Sequence, residues 1–166
     1  MLVTAATLAL AALAAYWDWR TGEIPNWLTL PLLIITPIAY LIFVDRESAM
    51  ASVVGCACCG LVPYLLFRIG AIGGGDVKLF AALGAINGVT VGLAIFFAVM
   101  AVAAVQAVVV LCGRKQLRQT LKNISLVVVN SMRPRNGRPS ISHEDLTHMR
   151  LGPALFVGAV LGILGV

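Results

Sequence analysis

Charged residues in this chain are confined to a few short stretches, and the segments between them are apolar and long. The apolar runs cover residues 1–17, 27–44, 49–67, 79–112 and 151–166. A helix of about 20 apolar residues spans a hydrocarbon core of about 30 Å. In lipid every backbone N–H and C=O must be satisfied internally, so runs of this kind fold as helices. Composition agrees: the chain is 60% hydrophobic and 11% charged, against about 45–50% and about 25% for a soluble domain. These figures exclude an ordinary soluble domain, a disordered or collagen-like chain and a disulfide-stapled secreted module. The expected fold class is all-α: a polytopic membrane helical bundle forming one membrane-embedded domain over residues 1–166, with a basic loop at 113–150.

The first run has two readings. Ala12-Leu13-Ala14 resembles a signal-peptide cleavage site, but the first charged residue is Asp18, so the basic leading region of a signal peptide is missing. A retained first helix is therefore expected, broken at Asp18-Trp19-Arg20. Asp45-Arg46-Glu47-Ser48 is short enough to join two antiparallel helices as a hairpin. The run 79–112 would extend about 50 Å as one helix, well beyond the bilayer core. Asn87-Gly88 is the best turn inside it, giving a short fourth helix and a long fifth.

That division predicts about six transmembrane helices, and the charges test it. With both termini outside, the cytoplasmic segments are 18–26, 68–78 and 113–150, and they hold every one of the 12 basic residues except Arg46. A single span over 79–112 would turn the basic 113–150 loop outward, against the positive-inside rule. The net charge of +5 thus reports orientation, and no nucleic-acid partner is expected.

Within the loop, Leu117, Leu121, Ile124, Val128 and Met132 recur at helical spacing, with Arg114, Lys115, Arg118 and Lys122 mostly off that stripe. This fits either a helix lying on anionic lipid or an extension of the fifth helix. Residues 133–139 read as a linker, and Ser142 with Asp145 as a capping pair. His143 and His148 do not share a helix face, so no metal site is expected there. Cys56, Cys58, Cys59 and Cys112 do not form the paired C-x-x-C motifs of a zinc site and read as helix-packing thiols.

Carboxylates at a membrane boundary are costly and therefore informative. Asp18 ends the first helix and Asp76 begins the fourth, on the same side of the expected topology. Two aspartates brought together can hydrolyse a peptide bond. The ionised one takes a proton from water, and the protonated one hydrogen-bonds the scissile carbonyl. Burial and mutual repulsion keep one proton on such a pair, and neither metal nor cofactor is required. The alternative is that each aspartate only caps or solvates a helix end. Gly73-Gly74-Gly75 stands directly before Asp76. These glycines either allow unusual φ and leave room for a substrate strand, or form a flexible turn. Lys78 either favours ionisation of a neighbouring aspartate or snorkels to the interface.

At these residues the chain resembles a known family. Asp18-Trp19-Arg20-Thr21-Gly22-Glu23-Ile24-Pro25-Asn26 is similar to the D-x-R…I-P-N segment of type IV prepilin peptidases. Gly73-Gly74-Gly75-Asp76-Val77-Lys78-Leu79 resembles their G-x-G-D-x-K-L segment, and Gly152-Pro153 the G-P opening of their last helix. The matches occur in family order along nearly the whole chain. Presenilin and signal peptide peptidase share G-x-G-D but have Tyr before the first aspartate, where this chain has Trp17.

The resemblance implies an intramembrane aspartic endopeptidase of the G-x-G-D fold with Asp18 and Asp76 catalytic. Its substrates would be prepilins or pseudopilins, cut on the cytoplasmic side of a bacterial inner membrane. Larger relatives also N-methylate the product and carry an insertion with paired C-x-x-C motifs; this chain has none, so the resemblance implies the peptidase alone. The short form is most similar to the tight-adherence (Flp-type) branch, with archaeal preflagellin peptidases the near alternative. Gly73, Gly74, Gly75, Lys78 and Arg20 are the substrate-binding candidates. Arg20 faces either a substrate carboxylate or a lipid phosphate, membrane lipids being the second expected partner. Pro25 at the first helical position, or Asn26 as a cap, would open the second helix, and Gly152-Pro153 would shape the last. The competing function class is a non-enzymatic membrane subunit or a proton-linked carrier using the same aspartates.

Overall fold

A computed structural model describes residues 2–70, 72–113 and 152–165. One compact unit comprises Met1–Ala103 and Arg150–Val166, and a second comprises Ala104–Met149. Of the second, only the end of a helix, residues 104–113, is described. The expectations for 114–150, from the amphipathic stripe to the two histidines, lie outside the described residues.

The described residues form α1 (Leu2–Thr21), α2 (Asn26–Phe43), α3 (Arg46–Arg68), α4 (Gly74–Gly113) and α5 (Gly152–Leu164), with no strand among them. The first four are long and apolar enough to cross a membrane; α5 is apolar but shorter. Ile34, Ile42, Val54 and Leu65 are exposed on the helices, as expected of surface that lipid covers. Leu10, Ala14, Leu79, Phe80, Leu83, Ile95, Val99 and Leu155 form the buried core.

The helix α4 is not one rod. Gly88 adopts φ 74° and ψ −177°, outside helical geometry, at the Asn87-Gly88 pair where the sequence calls for a turn. On a straight helix Phe80 and Phe96 would stand about 24 Å apart, yet their ring centroids lie 5.0 Å apart, edge to face. A Cβ built on Gly92 would come within 2.9 Å of the Gly84 Cα. The two arms, 74–87 and, within the same compact unit, 89–103, therefore fold back on each other. A count of six crossings would treat these arms and α5 as separate spans, whereas four helices meet the length needed.

A helix that ends inside an apolar bundle strands its last carbonyls. In an unbroken helix the Ala85 and Ile86 carbonyls would bond the N–H groups of residues 89 and 90. Here Ser52 of α3 donates to Ala85 O at 2.7 Å, and Tyr40 of α2 donates to Ile86 O at 2.7 Å. Asn87 Nδ2 donates to Leu83 O at 2.9 Å, and Thr7 Oγ1 of α1 lies 3.0 Å from Asn87 Oδ1. The break thus gathers polar groups from three other helices.

Small residues bring the helices close, which in lipid supplies much of the packing energy. Gly55 of α3 meets Gly84 of α4 backbone to backbone, and the buried Cys59 fits beside Gly84 and Gly92. On α5, Gly158 and Gly162 seat against Val99 and Ile95; a Cβ on Gly162 would lie 2.6 Å from the Ile95 Cα. The α2–α3 connection is tighter than the expected hairpin, because Arg46, Glu47 and Ser48 join the first turn of α3. Asp45 is its N-cap and accepts from Ser48 N at 2.6 Å. Hydrogen bonds from Ser48 hold the Asp45 carboxyl below its ordinary value, so this cap weakens only as pH falls through that lowered value.

Gly55→Ala pushes a Cβ into the Gly84 carbonyl, where no flexible side chain can yield, and should cost about 1–3 kcal/mol. Gly88→Ala meets open space, but φ 74° with ψ −177° is a conformation essentially confined to glycine, at a cost of about 1–3 kcal/mol. Thermal unfolding in detergent micelles should therefore place both variants below wild type. An unchanged midpoint for Gly55→Ala would contradict the close α3–α4 crossing.

Candidate active site

Both motif aspartates sit inside helices. The first helix is not broken at Asp18; it continues to Thr21, because Thr21 Oγ1 lies 2.8 Å from Trp17 O and ties the last turn. Gly22, at φ 75°, then closes the helix by donating its N–H to Asp18 O at 2.9 Å, the left-handed termination that glycine allows. Asp18 is consequently on the final turns of α1 and only 7% exposed.

The second helix opens differently from either expectation. Pro25 is the N-cap, extended at φ −70° and ψ 139°, and Asn26 is the first helical residue with no capping bond from a side chain. The proline ring fixes φ near that value, and the Asn26 side chain is engaged elsewhere. Its Oδ1 accepts from Lys78 Nζ at 2.7 Å, joining α2 to α4.

At the start of α4, the Gly73 N–H donates to Asp76 Oδ2 at 3.1 Å while Val77 N bonds Gly73 O at 3.4 Å. This is the reciprocal half of a capping box, and a carboxylate in the first turn also suits the helix dipole. The capping role weighed for Asp76 is therefore present. Asp76 is 8% exposed. None of Gly73, Gly74 and Gly75 has a positive φ, so unusual backbone angles are not what this triplet supplies. What Gly75 supplies is room: a Cβ there would lie 3.1 Å from Ile24 Cβ and 3.3 Å from Ile24 O.

These three helix ends enclose a cleft of about 400 Å³, lined by Asp18, Gly22, Glu23, Ile24, Asn26, Gly73, Gly74, Gly75, Asp76 and Lys78. Two carboxylates from distant parts of the chain thus face one cavity, with backbone-rich walls and a lysine at the edge. Gly22, Glu23 and Ile24 were not singled out from the sequence, although they fall between Arg20 and Pro25 in the same motif. Their signal was position within the segment rather than chemistry. Other expected site residues lie apart from the cleft lining. Arg20 is exposed and donates to Tyr16 Oη at 3.1 Å. Pro25 serves the helix start, and Gly152 and Pro153 open α5, where a proline in the first turn forfeits no helical bond. Around this end of the bundle, Tyr16, Trp19 and Trp27 are exposed, with Arg68 on Tyr64 repeating the Arg20–Tyr16 pairing. Such aromatics mark a membrane–water boundary.

A membrane-embedded helical protein with two buried carboxylates on one boundary cleft is the class defined by this fold and site. The type IV leader peptidase family matches the chain over residues 5–108, and the protein belongs to that family. No curated protein and no solved structure gives a match. The matched region contains both aspartates and the whole cleft.

The glycine triplet yields a contrast. Gly74 has only ordinary contact distances to Phe67, at 3.6 Å and more, so Gly74→Ala should keep peptidase activity within about twofold of wild type. Gly75→Ala must push Ile24 and the loop before α2 back by a few tenths of an ångström, and a shift of that size in the cleft wall should lower kcat by about fivefold to tenfold. Equal activities for the two variants would contradict the Gly75–Ile24 contact.

Proposed function

We propose that the cleft is the active site of an aspartic-type endopeptidase that removes the leader from prepilins or pseudopilins, with Asp18 and Asp76 as the catalytic pair. One observation carries the reading: both aspartates are buried and both line the same 400 Å³ cleft, although far apart in sequence. Family membership supports leader-peptide hydrolysis over the carrier alternative.

The chemistry asks for two carboxylates holding one proton between them, which close approach favours. The ionised carboxylate takes a proton from water as the oxygen attacks the scissile carbonyl carbon. The protonated one hydrogen-bonds the carbonyl oxygen as charge develops there. Collapse of the tetrahedral intermediate breaks the C–N bond, and the leaving amine takes up a proton from the pair. The backbone of Gly73–Gly75 forms the wall against which an unwound substrate segment lies, its main-chain groups being available to pair with it. Arg20 and Arg68 hold lipid phosphate at the rim.

The cleft faces the cytoplasm in this reading, supported by Arg20, Arg68 and Lys78 at its end of the helices and by the positive-inside rule. The substrate's hydrophobic segment stays in the bilayer while its leader reaches the cleft. The lack of an insertion with paired C-x-x-C motifs within residues 5–108 favours Flp-type pilins of a bacterial inner membrane.

Asp18→Asn and Asp76→Asn should each lower cleavage of a co-expressed Flp-type prepilin by at least about 100-fold while inserting normally. Wild-type cleavage by either inserted variant would refute the catalytic pair. Orientation has its own test. With the native cysteines replaced, a membrane-impermeant thiol reagent applied to whole cells should label Ser48→Cys and leave Glu23→Cys unlabelled. The reverse pattern would place the cleft outside.

A further inference from the structure

Thr7 and Asn87 form a part-buried polar contact that neither motif contains. Thr7 is fully buried, and its Oγ1 lies 2.9 Å from Val3 O in its own helix and 3.0 Å from Asn87 Oδ1 on α4. The interval from Thr7 to Asp18 along α1 equals that from Asn87 back to Asp76 along α4. It amounts to about three helical turns, or about 16 Å. Near-integral turns return a residue to the same face, so Thr7 and Asp18 share one face of α1. Asn87 and Asp76 likewise share one face of the first arm of α4. The two segments run antiparallel: Thr7 meets Asn87 at one end, and Asp18 and Asp76 line one cleft at the other.

We infer that the Thr7–Asn87 hydrogen bond sets the register of α1 against α4 and thereby brings Asp18 opposite Asp76. The inference rests on the proposed catalytic pair. Between the two ends the buried residues are Leu10, Ala11 and Ala14 on α1 and Leu79, Phe80 and Leu83 on α4. Apolar side chains of this kind pack acceptably in more than one register. A slip of one turn would move one carboxylate past the other by about 5.4 Å. It would also part Thr7 Oγ1 from the half-buried Asn87 Oδ1 and lose the hydrogen bond between the two helices. The fully buried Thr7 hydroxyl would keep only Val3 O of its own helix, so the lost interhelical bond is what opposes the slip. A single polar residue in an apolar helix interface is a recognised means of fixing register. Thr7 and Asn87 are positioning residues, acting on the reaction only through Asp18 and Asp76.

The experiment compares wild type, Thr7→Ser, Thr7→Val and the double variant Thr7→Val/Asn87→Leu, measuring kcat and KM for prepilin cleavage together with thermal midpoints. Thr7→Ser keeps the hydroxyl and should stay within about twofold of wild type in kcat. Thr7→Val should lower kcat about tenfold or more with KM little changed, because misplacement affects the reacting groups rather than substrate binding. The double variant replaces the polar pair by an apolar one. It should recover the thermal midpoint without recovering kcat, since apolar substitution restores stability but not specificity of register. Recovery of both would make the pair merely structural and overturn the inference, as would a Thr7→Val enzyme with wild-type kcat. A readout independent of peptidase activity is the oxidative cross-linking of Asp18→Cys to Asp76→Cys in a background otherwise free of cysteine. Its yield should fall by at least about half when the double variant is added; an unchanged yield would also overturn the inference. If wild type cuts no prepilin but the yield still falls, the register role stands and the proposed substrate fails.

Discussion

The fold depends on what happens to a handful of backbone carbonyls at Gly88. A helix that ends within an apolar bundle leaves acceptors that lipid cannot satisfy. The chain meets this cost with Ser52 and Tyr40, which donate to Ala85 O and Ile86 O, while Thr7 of a third helix bonds the Asn87 side chain beside them. Each of these bonds is worth only about 1 kcal/mol net. Their shared target gives them a larger consequence, because α1, α2 and α3 must all approach one point on α4. Glycine contacts then set how closely they approach, as at Gly55 against Gly84. The turn is thus an organising centre for the bundle rather than only a connection between two arms.

Helices are stiff on the scale of three turns, so an arrangement fixed at one end carries to the other. The first arm of α4 runs from the sealed break to Asp76, and α1 runs beside it to Asp18. At the far end of both, the loop from Gly22 to Asn26 is held twice against the first turn of α4. Ile24 lies against Gly75, and Asn26 accepts from Lys78. Asp76 falls between those two contacts in sequence. The cleft is therefore constrained from above by the break and from its side by the loop, with packing supplied by Leu79, Phe80 and Leu83 in between.

Much of this was legible in the sequence, for identifiable reasons. The apolar runs define the helices because lipid leaves the backbone no alternative, and Asn87-Gly88 stands out because a run of that length cannot cross straight. Asp18 and Asp76 stand out because carboxylates are rare in such a chain. Helix ends were less legible: α1 passes through Asp18 to Thr21, since a single hydroxyl-to-carbonyl bond prolongs the last turn. The glycine triplet offers both φ freedom and room for a substrate strand; the φ freedom is unused, and the room at Gly75 is filled by Ile24. Asn26 looked like a cap and is instead the partner of Lys78. Tyr40, Ser52 and Thr7 gave no signal at all. A side chain bonding a main-chain carbonyl or a side-chain amide on another helix leaves no spacing or motif behind it.

The same scarcity of polar groups separates scaffold from site. In an aqueous domain a serine or tyrosine finds water wherever it sits, and its hydrogen bonds say little about its role. Here a polar atom finds protein, faces a cleft or reaches the boundary, with the buried Thr29 Oγ1 of α2 as an exception among the described residues. Ser52, Tyr40 and Asn87 meet protein at the break. Arg20 and Arg68 are exposed at the boundary, each beside a tyrosine of its own helix. Asp18 and Asp76 are buried yet border an open volume. Keeping carboxylates in that position costs folding energy, and packing alone does not require it. The observed cost falls on two residues facing each other's cleft, which is where chemistry that uses two carboxylates would need it.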